Sequence, residues 1–225
     1  MNWLFLNSGK CDAALNMALD EVLLESAAST GAPVLRFYGW TEPAATFGYF
    51  QKYAEVEKTT HLRPLIRRPT GGGIVPHDAD WTYSFAVPPD HEWHSISAEE
   101  SYRRIHEWLQ RAFAELKVET ELAPCCKKSL PGQCFVGYEK FDLLWHGKKI
   151  AGAAQRRNKL GMLIQGSIQP PPVALQRNEF EAAMCTVAAK SWKITWKEFL
   201  ADHVLQQAQN LAGEKFSQSL YNQKR

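Results

Sequence analysis

Apolar positions in this chain fall into short periodic runs broken by turn signals. From residue 12 to 28, Leu15, Met17, Leu19, Val22, Leu23 and Leu24 recur among acids and alanines, and with Asp12 as cap that spacing predicts a helix. Val34–Trp40 and residues 45–50 are rich in β-branched and aromatic side chains and are separated by Thr41-Glu42-Pro43, so two strands are predicted. Residues 65–69 and Trp81–Val87 read as two further strands flanking a glycine-rich loop. Ser97-Ala98-Glu99-Glu100 has the capping-box pattern, and Ile105, Trp108, Leu109, Ala112 and Leu116 follow at helical spacing, predicting an amphipathic helix over 98–116. Residues 141–145 and 149–155 flank His146-Gly147 and predict a hairpin, with 162–169 as the next strand. A second capping-box pattern, Thr195-Trp196-Lys197-Glu198, predicts a helix that Gly213 ends.

Strands and helices mix without regular βαβ alternation, which points to an α+β fold in one domain over 1–213. The polar tail, 214–225, is expected to fray. At 225 residues, with 45% apolar and 22% charged positions, the composition is that of a globular protein that needs no staple. A formal charge of +2 is too small to argue for nucleic acid. The N-terminus lacks the basic and apolar regions of a secretion signal, and no run approaches the ~18 apolar residues of a membrane span, so the cytoplasm is expected. Cys11, Cys125, Cys126, Cys134 and Cys185 are odd in number and irregular in spacing, which suits free thiols better than a disulfide framework.

Two segments carry candidate chemistry. In Arg67-Arg68-Pro69-Thr70-Gly71-Gly72-Gly73-Ile74-Val75-Pro76-His77-Asp78, three glycines allow a close backbone approach to a ligand, and two arginines offer a fork for an anion. The Gly-Lys-Ser/Thr ending of a P-loop is absent, as is the spacing of a dinucleotide fingerprint. Taken alone, the segment reads equally well as a glycine hairpin with solvated arginines. In the second segment, 145–157, a lysine followed by small residues on a strand suits a narrow channel where its ammonium meets a carbonyl or phosphate oxygen. Lys149 takes that role, whereas Lys148 reads as protection of a sheet edge. Cys125 and Cys126, and the pair His91 and His94, lack partners at metal-ligand spacing, so no metal is assigned. Asp78 and Asp80 read as turn and cap residues. His77 is open between orienting the loop, proton transfer and a structural hydrogen bond to backbone. Trp40, Phe47, Tyr49 and Trp81 either wall a tunnel or belong to the core.

Residues 35–40 (LRFYGW), residues 47–51 (FGYFQ), the RRPTGGG…HD segment and GKKIAGAAQRR together resemble the lipoate–protein ligase and octanoyltransferase superfamily, in order and in spacing, from the first helix to about Gln169. The resemblance implies the biotin/lipoate ligase fold, related to class II aminoacyl-tRNA synthetase catalytic domains, with a mixed, mostly antiparallel sheet flanked by helices. It further implies an acyl tunnel beside the glycine loop, with Arg68, Gly71, Gly72, Gly73, His77 and Gly152 as substrate-contacting positions and Lys149 on the acyl carbonyl; Arg67, Thr70 and Ala153, in the same two segments, are further substrate-binding candidates.

Members of the superfamily differ in how the acyl group is activated. Ligases use ATP and Mg to make an acyl-adenylate; transferases take a thioester from acyl carrier protein through a cysteine and need no nucleotide. The run from Cys134 to Leu143 resembles the Cys-Phe segment of one octanoyltransferase group, which makes Cys134 the candidate nucleophile; a buried small hydrophobe is the other reading. Glu139-Lys140 stands where that group has Pro-Ser, and Gly73 is kept as ligases keep it. Ligases carry a further small C-terminal domain, on the same or a separate chain, so the 225-residue length leans toward a transferase. The expected acceptor is a lysine of a lipoyl domain or of the glycine-cleavage H protein. An ATP-dependent ligase and a non-catalytic acyl- or carrier-binding module are the alternatives.

Overall fold

The computed structural model describes residues 1–127, 137–200 and 202–225. Its strands are β1 (Asn2–Cys11), β2 (Val34–Trp40), β3 (Ala44–Phe47), β4 (Leu65–Arg67), β5 (Val75–His77), β6 (Trp81–Val87), β7 (Glu121–Leu122), β8 (Leu143–Trp145), β9 (Lys148–Asn158), β10 (Gly161–Ile168) and β11 (Thr195–Glu198). The longer helices are α1 (Ala13–Glu25), α2 (Ala98–Glu115), α3 (Arg177–Trp192) and α4 (Asp202–Leu211). An eight-stranded sheet runs β11-β1-β2-β6-β10-β9-β8-β7, and a three-stranded sheet runs β4-β3-β5. β1 pairs in parallel with β2 and β11, while every pair from β2 to β7 across the large sheet is antiparallel. The α+β expectation with a mixed, mostly antiparallel sheet holds.

Alternation within the strands sorts side chains between two cores. On one face Phe85 and Ile164 meet Trp108, Leu109 and Phe113 of α2 and Phe180 and Met184 of α3. On the other, Ala86 and Leu163 meet Met17, Leu19 and Leu23 of α1. α1 starts where Asp12 accepts the Leu15 N–H at 2.8 Å, and α2 where Ser97 accepts that of Glu100, as the capping patterns predict. α1 is buried nearly all round, whereas α2 keeps Glu100, Arg103 and Arg104 outside as an ion-paired face.

The sequence pattern does not predict β1, β5 or β7, and three other departures have identifiable causes. Residues 195–198 form a strand, not the start of a helix, because they pair with Asn2 to Phe5; the helix begins later, at Asp202. α3 escapes the periodicity argument because two of its five buried residues, Phe180, Ala183, Met184, Val187 and Ala188, are alanines and its cap is Gln176 with Glu179. The tail does not fray. Residues 212–216 make a π-helical turn and Ser219–Asn222 a short helix, and Asn222 accepts the Arg67 N–H at 2.8 Å and the Arg67 guanidinium at 2.9 Å. Among the described residues, no helix is long and apolar enough to cross a membrane.

Candidate active site

β8 and β9 form the expected hairpin around His146-Gly147, both at positive φ. Their register carries an irregularity: Leu143 pairs with Ala151 but Leu144 pairs with Lys149. Ile150 is therefore an extra residue, a bulge that turns Lys149 to the same face as Gly152 and Ala154. There its Nζ lies 2.7 Å from Asp142 Oδ2, with the two side chains 8% and 0% exposed. Glycine at 152 is what lets the lysine lie across the strand, because a Cβ would stand 2.7 Å from Lys149 Nζ and 3.0 Å from Asp142 Oδ1. Asp142 also accepts the Glu139 N–H at 2.6 Å and the Tyr102 hydroxyl. Burial, and then the Asp142 charge, push the Tyr102 phenol well above its ordinary pKa, so it acts as a donor. Behind it, burial pushes the His106 imidazole down to about 4, which leaves it neutral at pH 7.

The opposite wall is the loop between β4 and β5. Arg68, buried, donates to the carbonyls of Gly71 (Nε at 3.0 Å) and Gly73 (2.7 Å), so it folds the loop around itself. Gly72 adopts φ 88°, and a Cβ there would meet the Arg68 guanidinium at 2.7 Å. Thr70 donates to Gln165 Oε1 at 2.7 Å, and Gln165 donates to Asp20 at 2.7 Å, which ties the loop to β10 and α1. Asp20 is in turn bound to Arg36 at 2.6 Å, both fully buried.

His77, at the end of β5, reaches side chains rather than backbone. Its Nδ1 lies 2.8 Å from Asp80 Oδ2 and its Nε2 2.8 Å from Thr46 Oγ1, with Trp40 stacked on the ring at 3.8 Å. A carboxylate only accepts, so Nδ1 carries the proton. Asp80 also accepts from Ser167 at 2.6 Å. It is thus a buried partner of His77 and not the turn residue its position suggests.

Between these walls runs a narrow cavity of about 50 Å³, lined by Met17, Tyr38, Gly72, Val75, Lys149 and Gln165 among others. Of the residues singled out from sequence, Arg68, Gly72, His77, Lys149, Gly152 and Ala153 border it. Thr70 and Gly73 act one step back, through Gln165 and Arg68. Arg67 does not border it: its guanidinium donates to the carbonyls of Tyr49, Gln51 and Asn222 and stacks on Phe47. Nor do Trp40, Phe47, Tyr49 or Trp81. Cys134 lies outside the described residues. Sequence reasoning missed Asp142, Tyr102, Gln165 and Asp20. A usable signal existed for one pair, since Asp20 and Arg36 each put a charge into an apolar run.

The sequence model of the lipoyl protein ligase A/B catalytic domain matches residues 12–198. The chain belongs to the lipoyl protein ligase A/B family. It is 38% identical over 181 residues to octanoyltransferase LipM of Halalkalibacterium halodurans, a match covering 74% of this chain and 65% of that protein. The match thus spans slightly under two thirds of the relative's length. Among solved structures, the T. acidophilum protein Ta0514 with bound lipoic acid superposes with a TM-score of 0.82 over 100% of both chains at 21% identity. A lipoate-protein ligase A bound with ATP does so with 0.82 over 99% of both at 22%. At such identities the likeness is one of fold, and this family member has the lipoate-ligase fold.

Proposed function

We propose that the chain transfers an octanoyl or lipoyl group from acyl carrier protein to a lysine of a lipoyl domain or H protein. The observation that carries the reading is Lys149: an ammonium paired with a buried carboxylate, at the wall of a narrow cavity closed by a glycine loop. The octanoyltransferase relatives favour transfer over adenylation. In the proposed sequence, the Cys134 thiol gives up its proton and its sulfur attacks the carrier thioester; the new carbon–sulfur bond forms as the acyl carbon's bond to the carrier sulfur breaks, and the carrier leaves as a thiol with that proton. The acceptor amine then attacks the acyl-cysteine, an amide forms, and Cys134 regains its proton. In both steps Lys149 stands against the developing oxyanion. No nucleotide takes part.

A ligase acting through lipoyl-adenylate is the second reading, favoured by the retained Gly73 and by the fold of the neighbours. To separate them, purified protein is given an acceptor domain with either octanoyl-acyl carrier protein alone or octanoate, ATP and Mg. Transfer from the thioester alone, lost in Cys134→Ala, is the expected result. Modification only with free acid and ATP replaces the transferase by the ligase.

A further inference from the structure

The environment of Lys149 contains a residue that neither the sequence motifs nor the family resemblance assigns. A lysine has a flexible four-carbon stem, so an ammonium meant for one carbonyl oxygen needs an anchor. Asp142 has the properties of one. Its side chain is fully buried and both oxygens are engaged, Oδ2 by Lys149 and the Glu139 N–H and Oδ1 by Tyr102. Tyr102 belongs to α2, and its own carbonyl is bonded to the buried His106 Nδ1 at 2.8 Å. Tyr102 is also within 3.5 Å of the Ala153 N–H on β9. Helix, hairpin and strand thus meet on one carboxylate, next to the bulge at Ile150 and the bare backbone of Gly152. A carboxylate so fixed also compensates the ammonium charge in a site that excludes most water.

We infer that Asp142, itself held by the Tyr102 hydroxyl, is a positioning residue that fixes the Lys149 ammonium across Gly152 and into the cavity. The inference rests on the acyl-transfer reading. Asp142 touches no reacting atom; it acts through Lys149, and Tyr102 acts through Asp142.

The test measures acyl transfer from octanoyl-acyl carrier protein to an acceptor domain, with kcat, KM and melting temperature for Lys149→Ala, Asp142→Asn, Asp142→Glu, Tyr102→Phe and the Asp142→Asn/Tyr102→Phe double variant. Asp142→Asn is expected to lower kcat by about 10- to 100-fold while KM for both substrates stays within about twofold, as for outer residues that orient a reactive group. Asp142→Glu restores part of kcat, because the charge returns one methylene out of place. Tyr102→Phe lowers kcat by a smaller factor and adds nothing to Asp142→Asn. If Asp142→Asn does not fold, Tyr102→Phe decides alone, since it removes one hydroxyl. Unchanged kcat in Asp142→Asn or, failing that variant, in Tyr102→Phe overturns the positioning role, as do independent, additive losses in the double variant, provided Lys149→Ala lowers kcat by about 10²–10³-fold. If Lys149→Ala transfers as well as the unaltered protein, the role of Lys149 falls and the positioning role with it; if the unaltered protein itself transfers no acyl group, the acyl-transfer reading falls.

Discussion

Two buried cation–carboxylate pairs, Arg36–Asp20 and Lys149–Asp142, differ in their relation to the cavity: Lys149 borders it, whereas Asp20 is bonded to the lining residues Tyr38 and Gln165 from behind. Asp20 takes Arg36 and Ser84 on one oxygen, and Tyr38 and Gln165 on the other. Arg36 also donates to Ser8 and to Asn16. That pair joins β1, β2, β6, β10 and α1, and neither side chain is exposed. It is a planar, many-bonded knot suited to arginine. The second pair uses lysine, a point charge on a flexible stem, and Lys149 borders the cavity while Asp142 does not. A buried ion pair is thus no evidence of function by itself. What separates the two pairs here is whether the cation meets space that a ligand could occupy.

The comparison breaks most visibly on the structural side. Asp20→Ala leaves Arg36 buried without its counter-charge and should lower unfolding free energy by about 3–5 kcal/mol in urea titration. On the other side, Lys149→Ala should cut kcat by about 10²–10³-fold, the scale of a lost oxyanion donor. It should destabilise less than Asp20→Ala, because water entering through the cavity can solvate Asp142.

The region behind Asp142 should also respond to pH. Above the ordinary imidazole value of 6.5, His106 is neutral both folded and unfolded. Below it, the unfolded chain takes up a proton that the folded protein refuses until about 4. Stability should therefore fall as pH drops across that window, by up to ~3 kcal/mol, and His106→Gln should flatten the curve of urea midpoints. The smallest effect belongs to Gly152→Ala. Its new methyl displaces the lysine tip, so kcat should drop about tenfold while stability changes by less than ~1 kcal/mol.

How much of this was legible in sequence follows the range of the interactions. α1, α2, the β8–β9 hairpin and the glycine loop are set by local spacing, and their positions emerged from it. The strand at 195–198 was misread because Thr-x-x-Glu is a local signal, and pairing with residues 2–5 overrides it. Arg67 and Arg68 look equivalent in sequence, yet β4 sends one toward Asn222 and the other into the loop. Asp142 was passed over because one acid ahead of two leucines says nothing until Tyr102, 40 residues earlier, arrives at its oxygen. The orientation of Lys149 depends on a one-residue bulge that no pattern of hydrophobicity encodes.

In the proposed reaction the cavity beside Lys149 receives the acyl chain with its carbonyl at the ammonium. A crystal structure of the protein soaked with octanoate tests it most directly. A carboxyl oxygen is expected within hydrogen-bond distance of Lys149 Nζ, with the chain running between Gly72, Gln165 and Met17. Octanoate bound elsewhere, with the Lys149 cavity left empty at saturating ligand, would contradict it.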